Sequence, residues 1–325
     1  MKRIIFLILL LSGIVCKAQD IVLEGRVTNP EGIGVEYATI GVPGTRYGTL
    51  TDNKGRFTLA LPQGCNDTLS VSHVSYSEAK IAAATFMSNG NIVIGLEYKA
   101  LDSLVVFDGK RKKAKLINKG MRVAGAATSY DVNSLGNEVG SIISTKNAFE
   151  VEEIKFTVLS NKINDAKLSV SIYSMDEEKG EFHNRIHRPI YADIAVSNSK
   201  KEYCISPQET IILEAGEYFV AVKLIDGKSD KPMHEKMLLP LYLKRSYIRK
   251  GATEHPEKIP VNIGLQIKGV KILMKEGDPK VIFKDTAPSP EHILERVLSL
   301  YILLLDQPLL ITYIYFLNNY QLHQN

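Results

Sequence analysis

Two residues near the end of the chain have the spacing of a zinc site. His292 and Glu295 form a His-x-x-Glu pair, whose imidazole and carboxylate are groups that zinc accepts, and His323 is the histidine that follows. A catalytic zinc also needs a domain built around it, and the 30 residues from 296 to 325 are too few to supply one. We therefore expect no metal site at this pair.

Other patterns point to chemistry less strongly. The sequence contains no Gly-x-Ser-x-Gly nucleophile motif. Two histidine patterns are incomplete as metal sites, because His234-Glu235 has no second histidine, and His183 and His187 stand in a predicted loop before Pro189. The acidic cluster Asp176-Glu177-Glu178 lacks the spacing of a calcium loop. Gly136 to Ser141 lacks the Gly-Lys-Ser/Thr ending of a phosphate loop, and we interpret it as a turn entering a strand. The sequence thus predicts no catalytic residue, no cofactor-binding residue and no metal ligand, hence no cofactor and a protein that is not an enzyme.

Aromatic residues leave carbohydrate binding open. The chain has 15 tyrosines and no tryptophan, although tyrosine rings can also stack on sugars. The alternative is that these rings pack at sheet edges with their hydroxyls in water. The tyrosines in question are Tyr173, Tyr191, Tyr203 and Tyr218.

The first 18 residues have the layout of a secretory signal peptide, which directs export. Lys2 and Arg3 precede an apolar run, and Ala18 is a small residue at the expected cleavage site. The run is too short to span a hydrocarbon core of roughly 30 Å comfortably. Cys16 would be the acylated residue of a lipoprotein, but Val15 stands where that processing favours a small residue. We expect cleavage after Ala18 and a periplasmic or outer-membrane-associated protein.

Residues 19–108 predict an antiparallel β-sandwich. Short β-branched or alternating segments are separated by turn sequences at residues 29–32 and 52–55, which are Asn-Pro-Glu-Gly and Asp-Asn-Lys-Gly. Seven strands at this spacing are typical of a sandwich. The predicted strands cover residues 21–28, 35–42, 48–51, 56–61, 68–74, 92–96 and 104–107.

The same segment carries a run of motifs spread over about 85 residues. They are Gly25-Arg26-Val27, Gly34-Val35, Ala38-Thr39-Ile40, Pro43-Gly44-Thr45, Gly48-Thr49, Thr51-Asp52, Gly55-Arg56-Phe57, Pro62, Ser70 to Tyr76 and Leu101 to Val106. On these residues the segment resembles the carboxypeptidase regulatory-like domain, a transthyretin-like sandwich frequent in exported Bacteroidetes proteins and at the front of TonB-dependent outer-membrane receptors. Ser75 departs from the family, which usually has glycine there. The resemblance implies a fold and is nearly silent on function.

A basic run follows at Lys110-Arg111-Lys112-Lys113-Ala114-Lys115. We expect residues 109–119 to be a solvated linker, with contact to a lipid surface as the alternative. We expect no nucleic-acid partner, because an exported protein meets little nucleic acid.

Residues 120–275 predict a second sandwich of jelly-roll-like character. Its predicted strands cover residues 154–159, 168–173, 190–196, 209–213, 218–225 and 261–270. Segments 168–173 and 216–222 are similar to those of a domain that follows the regulatory-like module in a group of Bacteroidetes proteins. That similarity implies no function. Cys65 and Cys204 would lie in different domains, so we expect unpaired thiols.

Residues 276–325 change to a Leu-, Ile- and Tyr-rich composition. A membrane span over residues 297–317 would bury Asp306 and contain Pro308. A packed helical hairpin, a membrane-associated tail and a non-native extension from a shifted reading frame remain open.

Charge argues against a strongly anionic partner. The formal net charge is +4, and removal of residues 1–18 leaves 37 basic against 36 acidic side chains. We predict an all-β protein of two antiparallel sandwiches that contacts a protein or glycan partner in the cell envelope. The alternative is an accessory subunit of a TonB-dependent uptake system, next to an outer-membrane barrel protein. A carboxypeptidase-related fragment is a remote third.

Overall fold

A computed structural model describes residues 20–65, 67–85, 91–99, 104–107, 109–118, 120–176, 179–273 and 280–283. The expected signal peptide, nearly all of the expected tail, and His292, Glu295 and His323 lie outside these ranges. In the described residues no helix has both the length and the apolar character needed to cross a membrane.

Seven strands form the N-terminal sandwich. They are β1 (Ile21–Thr28), β2 (Thr39–Gly41), β3 (Gly48–Leu50), β4 (Arg56–Leu61), β5 (Thr68–His73), β6 (Tyr76–Ala82) and β7 (Asn91–Gly95). One sheet has the order β4-β1-β7 and the other β3-β2-β5-β6. All pairs are antiparallel except β1 with β7. Strands β1 and β4 have the predicted bounds, whereas β6 was not predicted.

Local sequence explains strand β4 and the turn before it. Phe57, Leu59 and Leu61 are buried and alternate with exposed residues, as a strand with one solvated face requires. In the turn, the Asp52 carboxylate accepts the backbone N–H groups of Lys54 and Arg56 at 2.8 and 2.9 Å. The predicted turn is therefore confirmed, together with the period-2 burial that follows it.

Fourteen further strands build the second sandwich of the described chain. They are β9 (Lys110–Ile117), β10 (Met121–Tyr130), β11 (Glu138–Thr145), β12 (Ala148–Val158), β13 (Ser160–Asn161), β14 (Asn164–Asp176), β15 (Glu181–Asn184), β16 (Ile190–Ile194), β17 (Lys201–Ile205), β18 (Ile211–Leu213), β19 (Gly216–Lys228), β20 (Met237–Arg249), β21 (Glu257–Asn262) and β22 (Gln266–Leu273). A 3-10 helix, Val132–Ser134, precedes β11.

These strands divide into a nine-stranded and a five-stranded sheet. The larger follows β10-β20-β11-β19-β14-β15, with β13 and β21 on β20 and β16 on β14. The smaller follows β17-β12-β22-β9, with β18 on β12. The predicted all-β fold with two sandwiches is confirmed, and the jelly-roll-like pair of sheets is larger than the sequence indicated.

The basic run does not form a linker. Residues Lys110–Ile117 are strand β9, which pairs in antiparallel register with β22. Ala114 and Leu116 pack against the hydrophobic core of the second sandwich, while the basic residues remain exposed. The linker expectation was wrong here because the density of charge concealed the alternation that defines a strand.

Strand β14 shows how the nine-stranded sheet separates its two faces. Leu168, Val170 and Ile172 belong to the core between the sheets, whereas Tyr173 belongs to a separate cluster with Phe219. Since successive side chains point to opposite faces, Ser169, Ser171 and Tyr173 lie on the face turned away from that core. We call this the outer face of the nine-stranded sheet.

A second compact unit contains most of strand β8 (Leu104–Phe107) and part of β23 (Lys280–Phe283), which pair with each other. Both sandwiches belong to the first unit. Strand β8 was predicted with the correct bounds but was assigned to the N-terminal sandwich. That sandwich instead contains β6, which brings its number of strands to seven.

Candidate functional site

A cavity of about 260 Å³ lies between the two sandwiches. The N-terminal sandwich contributes side chains from β2 and β5, and the second sandwich contributes side chains from β14, β16, β19 and β20. Its volume is slightly below the range of small-molecule pockets, roughly 300–1,000 Å³. The outer face of the nine-stranded sheet forms its floor, so the strand register decides which groups meet there.

Five polar residues form one row across that face. Glu138 of β11 is opposite Arg249 of β20 on one side and opposite Lys223 of β19 on the other. Lys223 is opposite Ser169 of β14, which is opposite Tyr191 of β16. Directly opposed residues in antiparallel strands present their side chains on the same face. We call Arg249, Glu138, Lys223, Ser169 and Tyr191 the polar row.

Glu138 is the centre of a buried ion-pair network. Its side chain has no solvent exposure, and its Oε1 accepts from Lys223 Nζ at 2.9 Å and from the Tyr173 hydroxyl at 2.9 Å. Its Oε2 lies 3.1 Å from Arg249 Nη1. The Arg249 guanidinium also lies over the Tyr173 ring, 5.4 Å from its centroid. One carboxylate therefore contacts two cations.

The network keeps all three groups charged. Burial by itself would raise the pKa of Glu138, but the positive charges of Arg249 and Lys223 outweigh it and hold that pKa below its usual range. Burial by itself would lower the pKa of Lys223, and the charge of Glu138 raises it instead. The pKa of Tyr173 is raised, first by burial and then by the charge of Glu138, so its hydroxyl stays a donor.

His73 enters the cavity from the N-terminal sandwich as a neutral group. Burial, followed by the charge of Lys223, lowers the pKa of His73 to about 4. Its Nδ1 accepts the backbone N–H of Ser75 at 3.2 Å, so the neutral ring carries its proton on Nε2. His73 thus offers a hydrogen-bond donor but no positive charge at neutral pH.

An aromatic cluster supports the row along the sheet. Phe219 and Tyr173 stack with centroids 6.0 Å apart, and Tyr247 meets Phe219 edge to face at 5.7 Å. Phe182 closes the cluster with centroid distances of 5.0 Å to Tyr247 and 5.9 Å to Phe219. Stacked and edge-to-face ring pairs of this kind add to the stability of the outer face beside the polar row.

Tyr37 links the two sandwiches beside the cavity. Its hydroxyl donates to Asp226 Oδ2 at 3.0 Å, and its ring meets Tyr191 edge to face at 5.5 Å. It also borders two larger clefts, of about 870 and 730 Å³, that adjoin the same junction. Tyr37 adopts a φ of 54°, which an L-residue seldom takes, so its side chain is aimed by an unusual backbone conformation.

Backbone contacts complete the junction. The Gly44 N–H donates to Thr253 O at 2.7 Å, and the Thr253 hydroxyl donates to Thr45 O at 2.8 Å. Gly44 has a φ of 75°, and a Cβ there would lie 2.7 Å from the His255 ring. Only glycine suits both the conformation and the close approach. The sandwiches are therefore joined tightly enough to give the cavity defined walls.

The N-terminal sandwich matches a family model over residues 22–94, described as the carboxypeptidase regulatory-like domain. Residues 22–94 are a carboxypeptidase regulatory-like domain. The resemblance inferred from the motifs is thereby confirmed. The glycines at the junction, Gly44 and Gly48, belong to that motif run, and in this chain they face the second sandwich, where a Cβ on Gly48 would meet Thr253.

Two curated proteins are similar to part of the chain. The TonB-dependent receptor SusC of Bacteroides thetaiotaomicron is 32% identical over 122 residues, which are 36% of this chain and 12% of the receptor. The TonB-dependent receptor P3 of Formosa agariphila is 31% identical over 109 residues, 33% of this chain and 10% of the receptor. The chain thus matches only about a tenth of the length of either receptor.

Among solved structures, the cysteine protease and lectin-like domains of Cwp84, a surface layer associated protein of Clostridium difficile, are 10% identical. That match covers 73% of this chain and 59% of the other, with a TM-score of 0.27. A score this low supports no inference about the second sandwich.

Several patterns weighed in the sequence do not converge on the site. His183 is on strand β15 rather than in a loop, exposed and 3.3 Å from Glu181. Asp176 ends β14 beside Lys179, 3.5 Å away. The described residues contain no group of three or more His, Cys, Asp or Glu side chains placed to hold a metal ion. Gly136, at a φ of 87°, precedes strand β11, as the turn interpretation predicted.

The tyrosines divide between the two interpretations. Tyr191 lines the cavity, and Tyr203 stacks on Phe156 of the five-stranded sheet. Tyr173 and Tyr218 are 6% exposed, and their hydroxyls donate to Glu138 and to the Glu214 carbonyl oxygen. The expectation of hydroxyls in water at sheet edges was wrong for these last two, because the sheet continues beyond them.

The polar row was not predicted from the sequence, although the sequence contains one indication of it. Lys223 interrupts the apolar run from Phe219 to Ile225. Lysine is almost never fully buried unless it is paired, so a lysine inside an apolar strand indicates a buried partner.

Cys65 is buried, Cys204 is exposed, and both are free thiols.

Proposed function

We propose that this chain is a non-catalytic cell-envelope protein that binds a partner at the junction of its two sandwiches. The observation that carries the proposal is the cavity itself. It is walled by both sandwiches and lined by lysine, arginine, tyrosine and serine side chains on a rigid floor. Fixed polar groups in a concave, partly apolar pocket are typical of ligand recognition.

The sequence of the N-terminus supports the envelope location. The N-terminal residues have the layout of a signal peptide, and the two similar curated proteins are TonB-dependent receptors. In this proposal the regulatory-like domain is a rigid module that forms one wall of the site. The partner is a protein or a glycan that presents a small group to the cavity.

A second candidate is an accessory role in TonB-dependent uptake at the outer membrane. The similarity to two receptors over about a third of the chain favours it. Native purification of the chain from mildly solubilised host membranes tests this candidate. Recovery of a TonB-dependent receptor in stoichiometric amount supports it, and a chain found only in the soluble fraction, without a receptor, contradicts it.

The main proposal is tested by fractionation of the host combined with a peptidase assay of the purified full-length protein. We expect the chain in the periplasmic or outer-membrane fraction, with mass spectrometry of the intact protein giving its mature N-terminus. We expect no release of C-terminal residues from peptides, with or without added zinc. Chelator-sensitive peptide hydrolysis, or a purely cytoplasmic chain, would overturn the proposal.

A further inference from the structure

The polar row holds more positive than negative charge in a buried place. Lys223 and Arg249 have side chains only 13% and 15% exposed, and Glu138 neutralises one of them. A buried ion without a counter-ion is strongly destabilising even after the protein relaxes. The surplus charge therefore favours any arrangement that brings one negative charge to the row.

No residue of the cavity wall supplies that charge. The described lining contains Lys99, Lys223 and Arg249 but no aspartate and no glutamate. His73, the fourth basic side chain of the wall, is neutral and offers a proton on Nε2. The cavity is consequently selective for an anion on electrostatic grounds, because a cation would meet like charge from several sides.

Two buried donors beside the surplus charge lack an acceptor. Arg249 Nε and the Tyr191 hydroxyl are both inaccessible to solvent and have no hydrogen-bond partner, and Glu138 Oε2, 3.1 Å from Arg249 Nη1, is a buried oxygen without a hydrogen bond. Buried polar groups are normally paired, and each exception calls for an explanation such as an absent ligand or water. The two donors stand at opposite ends of the polar row, four strand spacings apart, so each would meet a different part of a bound molecule.

The cavity also has an apolar side that an inorganic ion would not use. Its wall includes Val74, Phe182, Ile225 and Ala252. Pockets of this kind take small organic molecules, whose apolar surface is buried while a few polar groups fix the orientation. The ligand therefore combines an anionic group with an organic body small enough for about 260 Å³.

The amount of charge selects the kind of anion. A carboxylate carries one negative charge, which equals the surplus in the row, and a guanidinium matches its planar pair of oxygens. A phosphate monoester carries about −1.5 to −2 at neutral pH, which exceeds the single surplus charge of the buried row and would need the half-buried Lys99 to balance it. We propose that the cavity between the sandwiches binds a small organic monocarboxylate, whose carboxylate is held by Lys223 and Arg249 and which has a further oxygen that accepts from the Tyr191 hydroxyl. This inference deepens the proposed binding function and rests on it.

Binding to purified full-length protein tests the inference directly. The probes are matched pairs of a carboxylate and its neutral amide, namely benzoate with benzamide, glucuronate with glucuronamide, and N-acetylglycine with its amide, together with inorganic phosphate and sulfate. Titration calorimetry and saturation-transfer NMR measure the affinity. We expect at least one carboxylate to bind at least tenfold more tightly than its amide. Equal affinity within every pair, absence of binding by all carboxylates, or tighter binding of phosphate or sulfate than of every carboxylate would overturn it.

Two variants tie that binding to the polar row. Tyr191→Phe removes a hydroxyl that has no partner in the protein, so we expect unchanged stability and an affinity about three- to tenfold weaker, the effect of one hydrogen bond. Tyr203→Phe, in the same sandwich but outside the cavity, is the matched control and should bind as the parent does. Loss of affinity in neither variant, or equally in both, contradicts the assignment.

The variant Glu138→Gln distinguishes a role of the polar row in binding from a role in stability, because the proposal predicts tighter carboxylate binding together with a less stable fold. Removing the competing carboxylate raises the surplus charge from one to two, so a variant that is less stable should bind the carboxylate more tightly, by about tenfold or more. Weaker binding by a folded Glu138→Gln protein contradicts the proposed site. The two proposals can be overturned by different results. If the protein is a non-hydrolytic envelope protein but binds no carboxylate, only the proposed ligand class is wrong. If it hydrolyses peptides, the proposed binding function is wrong, whichever probe binds.

Discussion

The two sheets of the second sandwich carry charge on their outer faces in opposite ways. On the five-stranded sheet, Lys113 pairs with Glu152 at 2.6 Å, with side chains 79% and 38% exposed. Arg111 pairs with Glu150 in the same solvated setting. On the nine-stranded sheet, Glu138 is fully buried between two cations, Lys223 and Arg249.

The difference teaches where charge matters in this molecule. The basic run of β9 is the most conspicuous charge in the sequence, yet acidic residues of β12, which lies on the other side of β22, pair with it in water. Exposed pairs of that kind contribute little to stability. The row around Glu138 consists of single charges in separate strands, and its burial makes each one consequential.

The largest expected effect comes from breaking the buried row. Glu138→Gln leaves Lys223 and Arg249 without a counter-ion, so we expect a loss of about 3–5 kcal/mol in the free energy of unfolding. Urea denaturation of the full chain, monitored by tyrosine fluorescence, measures it. Glu152→Gln on the five-stranded sheet is the control and should unfold close to the parent. A Glu138→Gln midpoint equal to that control would show that the row is not an ion-pair network in solution.

The next effect is a dependence on pH that His73 introduces. An unfolded histidine takes up a proton near pH 6.5, whereas His73 stays neutral until about pH 4. Between these values the unfolded state binds more protons, so stability falls as the pH falls, by about 3 kcal/mol across the window. The lowered pKa of Glu138 places its own contribution at lower pH.

The variant His73→Asn tests this assignment, because asparagine keeps an acceptor for the Ser75 N–H but does not titrate. Unfolding free energies measured from pH 7 to pH 4 should decline less steeply in the variant than in the parent. Parallel curves would show that other groups produce the acid sensitivity.

The sequence predicts the N-terminal sandwich well because its information is local. The Asp52 turn and the alternation of Phe57, Leu59 and Leu61 specify β4 within ten residues of chain. The regulatory-like motif run adds glycines whose positions only this fold requires. The prediction of a linker at β9 was wrong for the converse reason, because only Ala114 and Leu116 form an inward-facing pattern there, among strongly basic residues.

The polar row could not be predicted because it depends on register between distant strands. Glu138 and Arg249 are 111 positions apart and meet only through the pairing of β11 with β20. Local patterns do not specify which strands become neighbours, and a shift of one residue would send the side chain to the other face. Lys223 within its apolar strand was the one local indication, and it reveals a buried charge without naming its partner.

A smaller effect is expected at the junction that covers the buried row. Tyr37→Phe removes the hydrogen bond to Asp226, an acceptor that is charged, and should cost about 1.5 kcal/mol. The control is Tyr98→Phe, whose exposed hydroxyl donates to Glu31 at 2.7 Å. Thermal unfolding of both variants measures the contrast between a junction and a surface hydrogen bond. Equal melting temperatures would mean that the Tyr37 contact does not hold the sandwiches together.

The smallest effect is expected where the sequence shows the most charge. Lys113→Gln removes one partner of an exposed pair, and water replaces the lost interaction at both groups, so we expect no measurable change in unfolding free energy. Urea denaturation at low and at high salt checks this, because a solvated pair is screened while the row around Glu138 is shielded from ions. Since β9 is held by its pairing with β22 and by the burial of Ala114 and Leu116, its basic residues are exchangeable. A clear destabilisation at low salt that disappears at high salt would instead make the surface ladder a stabilising network and weaken the contrast between the two faces.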